Sequence, residues 1–217
     1  MSVGNAVRKL LGPTIFKYVG SIYRRFFVDL RELYRCFPTM KPEQCLLDIG
    51  GGDGEIMNYI MRDNPSLTVT MIDISPSVGN SIRPQYREKI NIFPCMSMNE
   101  FKEKYFTNTK QGIDFILISD VVHHIEESRR REFFSDLKKL ISDTTKIIIK
   151  DIEPGYCKSY LSYLSDKYIT GDKKVGLVSK NAVVKYMKDI SPGIRYYETE
   201  LFEKNCPNYC LIFHQQR

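Results

Sequence analysis

The segment Leu46-Leu47-Asp48-Ile49-Gly50-Gly51-Gly52-Asp53-Gly54 joins a short apolar run to a turn made almost entirely of glycine. Glycines at alternate positions, Gly50, Gly52 and Gly54, let a backbone turn sharply and approach a ligand where any side chain would collide. A dinucleotide fingerprint starting at Gly50 requires a sixth-position glycine, and Glu55 stands there instead. A carboxylate in the first helical turn repels the pyrophosphate that such a helix end would otherwise hold, so the loop reads as built for a nucleoside without phosphates. Nineteen residues after Gly54, Met71-Ile72-Asp73 puts a carboxylate at the end of a second strand. From there it can accept hydrogen bonds from both hydroxyls of a ribose. The competing role for Asp73 is to cap the segment that starts near Ser75.

Two imidazoles, His123 and His124, follow Ser119-Asp120-Val121-Val122 where a fourth apolar run gives way to a polar loop. Parallel sheets bind ligands at this carboxyl edge, which places at least one of the two histidines at a cleft as a candidate general base. The other reading is that one of the pair caps or packs.

Positioning these groups is the task of the remaining pattern. From residue 44 onward, short apolar runs alternate with charged helical stretches, which predicts an α/β fold: a Rossmann-like doubly wound sheet with helices on both faces. Strands are expected at 45–48, 68–73, 90–93, 115–119 and 146–151, with helices at 55–62, 77–88, 99–105, 128–141, 158–168 and 179–189. Two further strands at 195–200 and 209–214 flank Lys204, Asn205, Pro207 and Asn208, residues suited to a hairpin turn. The expected sheet has five parallel strands closed by a C-terminal antiparallel hairpin, seven strands in all. Upstream, apolar residues from Val7 to Leu33 recur three or four apart and predict amphipathic helix broken at Pro13, with the longer piece over 21–34.

With these motifs in place, the sequence resembles the class I S-adenosylmethionine-dependent methyltransferases. The resemblance covers residues 44–151 and rests on LLDIGGGDG, the strand end MID, the block IDFILISDVVHHIEE and the strand KIIIKDIEP. It implies S-adenosylmethionine as cofactor. Asp48, Gly50, Gly52 and Gly54 would then lie at the cofactor, Asp73 and the following Ile74 at its ribose, and Asp120 near its methionine end. Many relatives carry an acid after the third strand that accepts from the adenine amino group, whereas this chain reads Phe93-Pro94-Cys95-Met96-Ser97-Met98-Asn99. Met96 is expected to pack on the adenine or in the core, and Ser97 or a backbone carbonyl to accept the amino proton.

Methyl transfer from a sulfonium is an in-line displacement with a neutral leaving group, so alignment and exclusion of water are the main tasks. A hydroxyl acceptor also needs a base, for which His123 or His124 is suited, while a carboxylate acceptor needs none. In this family a segment after the fifth strand commonly covers the active site together with an N-terminal helix. Here these would supply Tyr160 and Tyr163, which with Tyr156 recur at helical spacing as either a packing stripe or a substrate wall, and Tyr18, Tyr23, Arg24 and Arg25, beside Phe27. Aromatic and cationic groups together imply an acceptor with a flat or apolar part and a negative group.

Composition narrows the partners. The 217 residues are 42% hydrophobic and 27% charged, an ordinary globular balance that excludes collagen-like and wholly disordered chains. Residues 1–41 hold eight basic and two acidic side chains; the rest of the chain holds 24 of each, so the net charge of +6 belongs to the arm. The expected organisation is a basic helical arm over 1–41 and a methyltransferase domain over 42–217. A plain solvated helix face and an amphipathic membrane-surface helix are the alternative readings of that arm. No run of about 18 uncharged apolar residues predicts a membrane span. The six cysteines do not form paired CxxC units and are read as reduced thiols, with no metal expected; Cys206 and Cys210 are close enough in sequence to be clipped. With no uninterrupted apolar secretion signal, the expected location is cytoplasmic.

The function expected is O-methylation, of a carboxylate or hydroxyl, in a small molecule or peptide. The alternatives are an RNA or nitrogen methyltransferase recruited through the basic arm, and a non-catalytic cofactor-binding subunit. No recognisable RNA-binding module or Asn/Asp-Pro-Pro-Tyr/Phe motif supports the former, and the intact glycine turn and Asp73 weigh against the latter.

Overall fold

The structure is a computed structural model and describes residues 29–106, 112–165, 175–199 and 207–215. Its sheet contains β1 (Cys45–Ile49), β2 (Thr68–Ile72), β3 (Ile90–Phe93), β4 (Phe115–Ser119), β5 (Lys146–Ile152), β6 (Ile194–Glu198) and β7 (Asn208–Gln215). Their spatial order is β3-β2-β1-β4-β5-β7-β6. The first five run parallel, and β7 lies antiparallel between β5 and β6. This is the expected seven-stranded sheet. The strand order reverses between β1 and β4, and this switch point leaves the crevice at which open sheets of this kind bind ligands.

The parallel strands are buried on both faces, which is why their sequences read as continuous apolar runs. Along β4, Ile116 and Ile118 enter one core with Leu47, Ile49 and Phe134, while Phe115 and Leu117 enter the other with Leu46, Met57 and Ile60. Burying each such side chain contributes about 1.5–3 kcal/mol, so the central strands are the rigid part on which the site stands.

Three of the helices begin where a side chain satisfies free N–H groups. In α1 (Leu30–Arg35) Asp29 accepts from Arg31 N and Glu32 N, and Leu33 is buried. After α2 (Met57–Asp63) and α3 (Pro84–Arg87), Ser97 and Glu100 form a capping box on α4 (Met98–Phe101), which continues as π-helix over Lys102–Phe106. Next come α5 (Glu127–Lys138), α6 (Cys157–Ser165) and α7 (Lys180–Ile190), the last capped by Ser179.

Two expected helices are corrected. The helix expected over 77–88 is only the four residues of α3, because Pro84 holds Arg83 extended and Gly79 turns left-handed at φ +73°. The residues before α3 are instead tied to the glycine turn, with Gly79 N donating to Gly52 O (2.8 Å) and Ser81 N to Asp53 O (2.7 Å). The helix expected over 21–34 does not run through Asp29, whose extended backbone starts α1 afresh. The Cys206 half of the suggested clip lies outside the described residues, and Cys210 is a buried free thiol in β7. Among the described residues, no helix is long and apolar enough to cross a membrane.

Candidate functional site

At the end of β1 the backbone turns through three left-handed glycines, Gly50 (φ +71°), Gly52 (+53°) and Gly54 (+75°). Two of them are also closed to side chains: a Cβ on Gly50 would lie 2.5 Å from Val121 Cγ2, and one on Gly54 2.6 Å from Ile82 Cγ1. Over Gly52 the space is open, the nearest atom to a built Cβ being Gly50 O at 4.0 Å. The turn is held by Gly50 N donating to Ile72 O (2.9 Å) and by Gly52 N donating to Asp73 Oδ2 (2.8 Å).

Asp73 takes up the local bonding considered from sequence without using all of its acceptor capacity. Its Oδ1 accepts from Ser75 N (2.7 Å) while its Oδ2 fixes the glycine turn, and each oxygen keeps a further lone pair to offer a ligand. Met96 N donates to Asp73 O (2.8 Å), which brings the segment after β3 beside it. A cleft of about 390 Å³ opens here; Gly50, Asp73, Ile74, Met96, Ser97 and His124 all line it. Ile74 stands 80% exposed at its rim, an apolar side chain placed to cover a flat ligand. The Ser97 hydroxyl takes part in the capping box, accepting from Glu100 N and donating to Glu100 Oε2, which leaves it one further lone pair. Asn99 and Phe133 also line the cleft and were not singled out in the sequence.

Asp48 lies beneath the turn rather than in the cleft. It is 2% exposed, its Oδ2 has no hydrogen-bond partner, and burial, then the nearby Asp73, pushes its carboxyl up to about 8. A Cβ on Gly51 would come within 2.8 Å of that oxygen, so the residue supports the glycine loop from below.

The two histidines separate. His123 is buried: its Nδ1 donates to Asp151 Oδ1 (2.6 Å) and its backbone N to Asp151 Oδ2 (3.2 Å). Burial works to raise the Asp151 carboxyl, but the charge and hydrogen bond of His123 outweigh it and hold the carboxyl below its ordinary range. His124 is exposed in the cleft, with its ring 4.1 Å from that of His123.

Asp120 is left-handed at φ +57° and forms an ion pair with Lys150, a fully buried β5 ammonium. Asp120, His123 and Asp151 bring potential metal-ligand atoms within 4.8 Å of one another, but Lys150 already neutralises Asp120. The importance of Lys150 and Asp151 was missed; their signal was two charged residues inside an otherwise apolar buried run, KIIIKDI.

The acceptor side is less fully described. Tyr160 (54% exposed) and Tyr163 lie on α6 and are not among the residues that line the cleft. Tyr18, Tyr23, Arg24 and Arg25 fall outside the described residues.

Residues 47–147 match a family described as a methyltransferase domain. No curated protein matches the chain in sequence. Among solved structures, mitomycin 7-O-methyltransferase is similar at 15% identity and TM-score 0.64, covering 86% of this chain and 53% of its own. An O-methyltransferase family 2 protein of Planctomyces limnophilus, in complex with apigenin, gives 13% identity and TM-score 0.65, over 94% of this chain and 62% of its own. An S-adenosylmethionine-dependent methyltransferase from Archaeoglobus fulgidus gives 15% and 0.64, over 88% and 97%. The chain thus spans between half and two thirds of the first two and nearly all of the third.

Proposed function

We propose that the chain is a class I S-adenosylmethionine-dependent methyltransferase, supported by the methyltransferase-domain match over residues 47–147 and the shared fold, and that it methylates an oxygen, a carboxylate or hydroxyl, of a small molecule or peptide that carries an anionic group. The observation that carries this reading is the cleft itself, where the glycine turn, Asp73 and the apolar rim of Ile74 and Met96 meet beside one exposed imidazole.

The residues present fit S-adenosylmethionine. Open space over Gly52 admits the ligand to the backbone, Asp73 supplies acceptors for the ribose, and Ile74 and Met96 offer apolar surface to the adenine. The cofactor, when bound, supplies an electrophilic methyl group on a sulfonium. Asp73 and the turn fix its orientation, and Val121 closes over Gly50. His124 is placed to take the proton of a hydroxyl acceptor; a carboxylate acceptor uses it only for position. Arg24 or Arg25 of the arm pairs with the acceptor's negative group, and Tyr160 and Tyr163 contribute to its wall. Support for oxygen as the target comes from the O-methyltransferases among the structural neighbours.

Calorimetry with S-adenosylhomocysteine and NAD tests the cofactor; binding of NAD alone would refute the reading. Incubation of metabolite extracts with methyl-labelled S-adenosylmethionine tests the acceptor class: label should enter small anionic compounds as alkali-labile esters or as ethers. Label recovered only in RNA, or on nitrogen, would select the alternative in which the basic arm recruits a polyanion.

A further inference from the structure

The loop after β4 carries three features of the site, and β5 pins it at both ends. At one end Lys150 pairs with Asp120, whose backbone N also donates to Lys150 O (2.9 Å). At the other, Asp151 takes two hydrogen bonds from His123. Lys150 and Asp151 are neighbours in one strand, so their side chains leave opposite faces of the sheet and hold the loop from both sides.

Between these pins the backbone is strained, because a residue with a Cβ at φ +57° occupies a conformation that costs glycine almost nothing. That turn at Asp120 lays Val121 across Gly50, so closely that a Cβ on Gly50 would lie 2.5 Å from Val121 Cγ2, and it leads on to His124 in the cleft. Asp120 itself is not among the residues that line the cleft, and Lys150 is fully buried, so neither needs to touch a ligand to matter.

We propose that Lys150 is a positioning residue: its ammonium holds Asp120 in the left-handed turn that sets Val121 over the glycine loop and His124 in the cleft. This rests on the reading of the cleft as the cofactor site. A fully buried ammonium is costly unless paired, which gives Lys150 a persistent need for the Asp120 carboxylate. In Lys150→Met the apolar side chain fills similar volume, Asp120 stays solvated, and the turn loses the attraction that offset its strain.

Glycine distinguishes this role from simple packing, since it adopts the left-handed conformation without help. Affinity for S-adenosylhomocysteine, measured by calorimetry, should fall about tenfold in Lys150→Met. In the Lys150→Met/Asp120→Gly double variant, at least half of that loss, on a logarithmic scale, should be recovered. With Lys150 intact, Asp120→Ala should bind several-fold more weakly than Asp120→Gly, a comparison that holds even if Lys150→Met fails to fold. Parent-like affinity in Lys150→Met, absence of rescue by glycine, or equal affinities of the Ala and Gly variants would each overturn the proposal. If the parent protein does not bind S-adenosylhomocysteine, the cofactor reading fails. The positioning role is then decided by urea unfolding of the same four variants, in which the order of stabilities must show the same glycine rescue.

Discussion

His123 Nδ1 and Asp151 Oδ1 lie 2.6 Å apart with both side chains almost wholly removed from water, while the adjacent His124 is exposed in the cleft. Burial therefore separates two neighbouring imidazoles, one fixed in the core and one open to the cleft. Breaking a buried charged pair from one side leaves the other group uncompensated, at a typical cost of about 3–5 kcal/mol. Asp151→Asn should lower the urea midpoint accordingly at pH 7. The carboxyl is held below its ordinary range in the folded chain, so its stabilisation is present above the unfolded carboxylate value and is lost as pH falls through the folded one. The difference between parent and variant should consequently shrink below about pH 4. A difference that stays constant there would show that the pair is not the source.

His124 gives the complementary expectation. Its replacement by Ala should leave thermal stability and cofactor affinity nearly unchanged, the latter within about threefold, while lowering turnover of a hydroxyl acceptor by roughly 10²-fold or more. With a carboxylate acceptor the same variant should lose little, and the parent's rate should vary little across pH 6–8. With a hydroxyl acceptor the parent should slow as pH falls, because the transfer needs an unprotonated base. Initial rates over that range, for parent and variant, discriminate the two classes of acceptor.

Much of this was legible in the sequence because the information is local. The parallel strands show as apolar runs, and Gly50, Gly52 and Gly54 occupy left-handed positions that the alternate spacing already implied. The helix expected over 77–88 failed because its residues are claimed by a distant partner: Gly52 O and Asp53 O accept the N–H groups of Gly79 and Ser81. Ser97 was read as an adenine acceptor, while the capping box it forms with Glu100 three residues on went unread although the sequence did display it. The division between His123 and His124 was not legible, since it depends on Asp151 arriving from β5 by tertiary pairing.

For Asp73 the structure adds a second consequence to the loss of ribose contacts. Its Oδ2 also holds Gly52 N, so removing the carboxylate loosens the turn itself. Asp73→Ala should weaken S-adenosylhomocysteine by about 1–3 kcal/mol, the range for charge-assisted hydrogen bonds. Asp73→Asn should recover part of this, because an amide oxygen can still accept from Gly52 N. Calorimetry of both variants checks it, and an Asn variant no better than Ala would count against the loop-holding role.

The arm is tested by exchanging charge-equivalent side chains. An Arg fork holds a carboxylate through two parallel hydrogen bonds that Lys cannot reproduce. Of Arg24→Lys and Arg25→Lys, the one that faces the acceptor should raise its KM, with only modest dependence on salt up to about 0.5 M. Recruitment of a polyanion predicts instead that Lys substitutes well and that salt weakens binding steeply.

Asp48 supplies an expectation of opposite sign to that of Asp151. Burial and the charge of Asp73 push its carboxyl up to about 8, so the folded chain keeps a proton that the unfolded chain releases near the ordinary carboxylate value. Between those two values the folded state binds more protons than the unfolded state, and stability must fall as pH rises. Asp48→Asn removes the titration while preserving shape. Its melting temperature relative to the parent should therefore climb steadily between about pH 4 and pH 8 and level off above. Near pH 5, where the parent carboxyl is still protonated when folded, the two proteins should melt within a few degrees of each other, since about 1 kcal/mol corresponds to roughly 2–4 °C in a chain of this size. Melting curves at four or five pH values decide the matter: parallel curves would mean that Asp48 is ionised beneath the glycine turn, and that a cation or a water satisfies the oxygen that has no partner here.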